Sequence, residues 1–165
     1  MKALFISRTD LVKNSILNGN IDTDKFIQYI SIAQEIHIQN YLGTKLYDKI
    51  STDILASNLT GDYLTLVNDY IQPMLIHYAL IKYLPQSAYQ ISNGGIFKHR
   101  SENSETVSKE EVDFLVQEER ENAEHYTRRF VDYICDNSSL FPEYNDNSGS
   151  DVYPEKGTNF TNFVL

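Results

Sequence analysis

A single cysteine, Cys135, is all the thiol chemistry of this chain, and tryptophan is absent. One cysteine closes no internal disulfide and builds no Cys-based zinc site, which fits a reducing compartment. Cations are scarce too: 14 Lys and Arg stand against 23 Asp and Glu, for a net charge of −9. Affinity for a nucleic-acid backbone comes from clustered cations, so this composition argues against a dedicated DNA- or RNA-binding module. Long apolar runs are missing. The most apolar stretch, MLIHYALIKYL at 74–84, carries His77 and Lys82 and falls well short of the roughly 20 residues that span a bilayer. It reads as a buried helix, and no membrane partner is expected. The opening MKALFISRTD has four apolar residues before Ser7, which predicts no signal-peptide core.

Catalytic and cofactor motifs are missing as well. A di-iron bundle needs Glu-x-x-His pairs, so that both ligands face inward one turn apart. The residues three before the four histidines are Gln34, Met74, Ile96 and Asn122, none of them a carboxylate. Neither His-Glu-x-x-His nor a phosphate-cradling Gly-Lys-Ser/Thr loop occurs, nor does a Gly-x-Ser-x-Gly elbow. The sequence therefore predicts no catalytic residue, no cofactor and no metal. His37 and His77 fall in apolar stripes and read as core histidines with hydrogen-bonded rings, the alternative being a buried ligand or proton shuttle. Glu121 and Glu124 beside His125 and Arg128 read as a solvated helix face with a Glu124–Arg128 pair. An enzyme assembled around Glu121 and His125 is the rival.

What is present is helical patterning. With 41% apolar residues in 165, the chain predicts one globular domain. Thr9-Asp10 predicts the cap of a short helix to about Leu17. A second helix opens at Asp22 or Thr23, with Phe26, Ile30, Ala33, His37 and Tyr41 on one stripe and Gly43 as its stop. A third follows at roughly 44–56 with Leu46, Ile50 and Ile54. The fourth begins near Thr60-Gly61-Asp62, should kink or break at Pro73, and should end at Pro85. Ser108-Lys109-Glu110-Glu111 has the form of a capping box and opens a fifth helix to about Asn137. Its inner stripe reads Val112, Leu115, Val116, Ala123, Tyr126, Phe130 and Ile134. Its outer face reads Glu110, Phe114, Gln117, Glu121, His125, Arg128 and Asp132. Such a helix is about 43 Å long, more than a domain this size needs for its own core.

Two segments break the pattern. Residues 86–107 alternate around Asn93-Gly94-Gly95, with Tyr89 and Ile91 before the turn and Ile96 and Phe97 after it, as a β-hairpin does. From Ser138 onward no period is visible, and Phe141, Tyr144, Tyr153, Phe160 and Phe163 stand as isolated anchors. That composition predicts an extended arm over 138–165, lying on a neighbouring surface. The expected fold is thus mainly α: a four- to five-helix bundle over 1–137 with a hairpin-like insertion at about 86–107, then the arm.

The runs AQEIHIQNYLGTKLYDKI (33–50), PMLIHYALIKYLP (73–85) and ISNGGIFKHRSENSETVSKEEVDFLVQEERENAEHYTRRFVDYICDNSSLFPEY (91–144) resemble a family of tailed phages and prophages of Bacteroidetes-type bacteria, crAss-like phages included. Those proteins are head–tail connectors, or neck adaptors: small helical subunits in a ring beneath the portal. The likeness covers about residues 5–144. It implies a non-enzymatic virion protein that joins head to tail and extends the DNA channel. Its partners would be its own copies in a closed, twelve-fold ring, the portal protein and other neck or tail rings, with DNA passing through without specific binding. Its place would be the virion neck, and the host cytoplasm during assembly. In that frame the hairpin residues Tyr89, Ile91, Asn93, Gly94, Gly95, Ile96 and Phe97 and the arm anchors are contact elements. Glu110, Phe114, Glu121 and Asp132 would form a channel or subunit face. The rival of another class is a regulatory or scaffolding binding module, monomeric or dimeric.

Overall fold

A helix that is apolar nearly all round has to sit in the middle, and the residues 74–84 do. A computed structural model describes residues 3–17, 23–87, 89–92, 95–98 and 107–157. The helices in chain order are α1 (Arg8–Lys13), α2 (Thr23–Ala33), α3 (Gln39–Leu55), α4 (Gly61–Leu66), α5 (Gln72–Ser87), α6 (Lys109–Asp136) and α7 (Pro142–Asn145). The mainly α reading holds. Helix α5 buries Met74, Leu75, Ile76, Tyr78, Ala79, Leu80 and Leu84, with α6 along one side and α2 along another. Phe26 of α2 meets Tyr83 of α5 at 4.8 Å between ring centres. Among the described residues no helix is long and apolar enough to cross a membrane.

The N-terminal segment is docked by Gln34, which is buried. Its amide oxygen accepts from the Phe5 N–H at 2.9 Å, and its NH2 donates to the Ala3 carbonyl at 2.8 Å and to the Tyr47 hydroxyl at 2.9 Å. The cap of α1 is Ser7 and not Thr9-Asp10. Ser7 Oγ accepts from the Asp10 N–H while the Asp10 carboxylate accepts from the Ser7 N–H, so Asp10 is the third helical residue of a capping box. The helix stops at Lys13, four residues short of Leu17, where Asn14 turns its side chain onto the Asp10 carbonyl.

Neither proline breaks its helix. A π-helical turn at Val67–Ile71 precedes Pro73, and the Gln72 N–H reaches back five residues to the Val67 carbonyl. The widened turn relieves the clash that Pro73 would make with the carbonyl four residues back, so the helix continues instead of breaking. Pro85 does not end α5 either. The helix runs to Ser87, whose hydroxyl donates to the Leu84 carbonyl at 2.7 Å. A second π turn, Gln34–Ile38, joins α2 to α3.

The box predicted at Ser108 is complete: Ser108 Oγ accepts from the Glu111 N–H and the Glu111 carboxylate accepts from the Ser108 N–H at 2.8 Å. The buried face of α6 begins only at Glu119, and continues through Ala123, Thr127, Phe130, Val131 and Ile134. Val112 and Val116 are half-buried and Leu115 is exposed, so the first ten residues of α6 add nothing to the sealed core. The backbone of β1 (Tyr89–Ser92) pairs antiparallel with β2 (Gly95–Lys98), Tyr89 opposite Lys98 and Ile91 opposite Ile96. Among the described residues no helix packs along either strand beyond a glancing contact. Asn93 and Gly94 lie outside the described residues.

The domain does not end at 137. Phe141 and Tyr144 are fully buried, packed into the same core as α3 and α6, and are therefore no anchors for a neighbouring surface. Beyond α7 the chain straps back onto α3. The Thr44 N–H donates to the Val152 carbonyl at 3.0 Å, the Val152 N–H to Thr44 Oγ1 at 3.1 Å, and the Glu155 N–H to the Asn40 carbonyl at 2.7 Å. Gly43 breaks α3 at φ +73°, which leaves the Thr44 N–H without a helical acceptor, and the strap supplies one. Pro154 fits against Gly43 so closely that a Cβ there would lie 2.7 Å from its ring. Lys45 holds the strap's Asp146 at 2.5 Å and Ser148 at 2.9 Å. This ammonium contact keeps the Asp146 carboxyl well below the usual carboxylate range.

Candidate functional site

The outer face of α6 is arranged as the periodicity predicts. Glu110, Phe114, Gln117, Glu121, His125, Arg128 and Asp132 are all exposed, Phe114 by 63%. Glu121 accepts from Gln117 Nε2 at 3.2 Å, and His125 stands edge-on to Tyr126 with ring centres 5.3 Å apart. Around Phe114, the carboxylates of Glu110, Glu111, Asp113 and Glu118 are likewise exposed. An apolar knob ringed by acids is not what a solvated face needs.

The other contact candidates divide. Tyr89 and Ile96 on the strands are exposed, Ile96 by 70%, and for Ile91, Gly95 and Phe97 the description is of the backbone. Tyr153 on the strap is 65% exposed. Phe160 and Phe163 lie outside the described residues.

Sequence reading missed a buried polar pair that holds α6. The carboxylate of Glu119 meets His77 at 2.5 Å, with side chains only 8% and 16% exposed. A carboxylate only accepts, so His77 Nδ1 carries the proton of this bond. The imidazole stacks parallel to Tyr126 with centres 5.3 Å apart, and Arg129 lies over the outer side of that tyrosine. Beside the pair opens a polar cleft of about 220 Å3, lined by Asn14, Asn68, Gln72 and the two rings. Glu119 sits in the acidic run of 102–124, and only its place on the Ala123–Phe130 stripe, one turn earlier, could have singled it out.

His37 departs from the expected hydrogen-bonded core histidine. It stacks on Tyr78 with centres 4.0 Å apart and planes 9° from parallel, and among the described residues its Nε2 has no partner. Tyr78 instead donates to Thr127, since Thr127 Oγ1 already donates to the Ala123 carbonyl at 2.7 Å. Burial, assisted by the Lys82 ammonium, pushes the His37 pKa down to about 4. The sign of the consequence is fixed: the unfolded chain takes up a proton near pH 6.5 and the folded chain does not until about pH 4. Stability therefore carries no His37 cost above about pH 6.5 and falls as the pH drops towards 4, by roughly 3 kcal/mol in all. In urea titrations at pH 7 and 4.5, His37→Phe should lose markedly less stability than the parent. Equal losses would show that the ring is not kept neutral.

Among the described residues no group of three His, Cys, Asp or Glu is placed to hold a metal ion. Fold and surface define a mainly α domain, closed by its own C-terminal strap and carrying one long outward helix face. Residues 38–154 match the model of the Family of unknown function (DUF6712), and the chain belongs to that family. The matched segment ends at Pro154, so it takes in the strap as far as its contact with Gly43. No curated protein and no solved structure matches the chain.

Proposed function

We propose that this chain is a non-catalytic structural subunit of a phage head–tail connector, which assembles with its own copies into a closed ring beneath the portal. The observation that carries the reading is the outer face of α6. Over 28 residues, about 42 Å, it keeps seven consecutive face positions exposed while the opposite face closes the core, and one of the seven is Phe114. The first ten residues of α6 bury no side chain, so the helix reaches past the part that closes the core. Glu121 and Asp132, further along that face, repel a phosphate backbone, which suits a channel past which DNA slides without specific binding. The paired strands β1 and β2 support the same reading, since two strands alone are marginal in water and gain from a surface supplied by a partner. The resemblance of 33–50, 73–85 and 91–144 to neck adaptors supplies the particular partners: twelve copies of the chain, the portal, and the adjoining neck or tail ring. Tyr153 and the anchors Phe160 and Phe163 serve as further contacts. The sites of action are the host cytoplasm during assembly and then the virion neck.

Light scattering of the purified protein, alone and mixed with its cognate portal, tests this. A discrete ring-sized species in either sample is expected. A monomer or dimer in both, with no co-elution, would overturn the connector reading in favour of a regulatory or scaffolding module.

A further inference from the structure

A ring requires two different complementary surfaces on one subunit, because a head-to-tail contact joins unlike patches. The chain offers such a couple. One is the knob on α6: Phe114, with Leu115 next to it in the chain, both exposed and flanked by Glu110, Glu111, Asp113 and Glu118. The other is an apolar groove of about 510 Å3 between the N-terminal segment and α2. Its floor is Leu4, Ile6, Leu11, Phe26, Ile27 and Ile30, and Ile27 is 43% exposed. Arg8 stands at its rim together with Asp24. That volume accommodates an aromatic side chain with room for its neighbours, and apolar trenches of this kind on a surface usually mark contact sites.

Charge selects between possible occupants. Among the described residues of 3–33, Arg8, Lys13 and Lys25 stand against Asp10 and Asp24, a small positive balance in a chain of net −9. Helix α6 carries nine acids against four bases. In the capping box the Asp10 carboxylate is engaged by Ser7, while Arg8, Lys13 and Lys25 are exposed. An apolar knob with an acidic rim thus answers an apolar groove on the cationic end of the same chain. We infer that the groove receives Phe114 of a second copy, with Arg8 facing the Glu110 side of the inserted helix. This contact is heterologous and leaves a free knob and a free groove at the ends of every dimer, so it propagates until the rotation closes. It rests on the connector reading and specifies which surfaces build the ring.

The test uses the full chain with Cys135→Ser, which removes its one thiol. A chain carrying both Gln117→Cys, one turn beyond the knob, and Asp24→Cys, at the groove rim, treated with a short bismaleimide, should give a ladder from dimer upwards. Each single-cysteine chain should stay monomeric, and their mixture should stop at dimer. Both positions are exposed and leave Phe114 and Ile27 in place, so unfolding curves of these variants should stay within about 0.5 kcal/mol of the parent. In parallel, Arg8→Glu and Glu110→Arg should each weaken self-association at least about tenfold, and the double reversal should restore it. Dimers from Gln117→Cys alone would show an isologous contact and overturn the proposal. So would an intramolecular link from Asp24→Cys to Phe160→Cys, which gives the groove to the chain's own tail. An intact ring with no ladder sinks this interface and leaves the connector reading standing. A ladder without any ring on the portal does the reverse.

Discussion

Truncating Phe141 to alanine will destabilise the domain by about 3–5 kcal/mol, the range for a large aromatic removed from a sealed core. The side chain is fully buried, edge-on to Tyr63 at 5.3 Å and facing Tyr133 at 6.4 Å between ring centres. Its neighbours leave little freedom to collapse into the void. Tyr63 is tied by its hydroxyl to Glu143 at 2.6 Å, and Tyr133 is stacked on Tyr70 at 4.0 Å. The Phe141 N–H also closes a short 3-10 turn onto the Ser138 carbonyl. Equilibrium urea unfolding followed by circular dichroism measures the loss, and Tyr153→Ala is the control. Tyr153 is largely exposed, and its removal should stay within about 0.5 kcal/mol. A Phe141→Ala loss as small as the control's would mean that the segment after Asp136 is a detachable arm after all.

That segment marks where the sequence stops being readable. A helix announces itself locally: Ser108 and Glu111 cap α6 from three residues apart, and Phe26, Ile30 and Ala33 lie on one turn-to-turn stripe that the structure buries. Gly43 gives the break between two helical stretches for an equally local reason, its positive φ. The strap has no such periodic sign. Its partners are 108 residues away for Val152 and 101 for Asp146, and single apolar residues between prolines look alike whether they cover their own domain or a neighbour's. The same limit hides Glu119. Its charge places it in an acidic run, and its burial comes from His77, 42 residues earlier on another helix. Pro73 failed as a breaker because the local rule assumes a regular α-turn before it, and the π turn at Val67–Ile71 is a different turn. Of the candidate contact surfaces, the α6 face was legible because it is periodic. The groove was not, because it is made by two segments that only the fold brings side by side.

Replacing His77 by alanine will be comparably costly, about 3–5 kcal/mol, because it strands a carboxylate in the interior instead of opening a simple hole. Glu119 is 8% exposed on its side chain, and its bond to His77 replaces the water it gave up on folding. Removing Glu119 instead leaves the imidazole stacked on Tyr126 without its acceptor, a loss of about 1–3 kcal/mol. The double change His77→Leu with Glu119→Leu exchanges a buried hydrogen-bonded pair for apolar packing and should lie within about 1 kcal/mol of the parent, since removing both partners leaves no buried polar group unpaired. A cycle of the single changes His77→Leu and Glu119→Leu with the double change isolates the coupling, expected at about 2 kcal/mol or more. Additive costs, with coupling below about 0.5 kcal/mol, would show that the short contact contributes nothing beyond volume. The position of the pair gives it a second consequence. Glu119 is the first buried residue of α6, and the ten residues before it, Phe114 among them, depend on it for their nearest sealed contact. In His77→Ala the amides of Lys109–Glu118 should exchange faster while those around Phe130 keep their protection. On the docking proposed for Phe114, self-association should weaken in step, because a mobile knob must be ordered again on entering the groove.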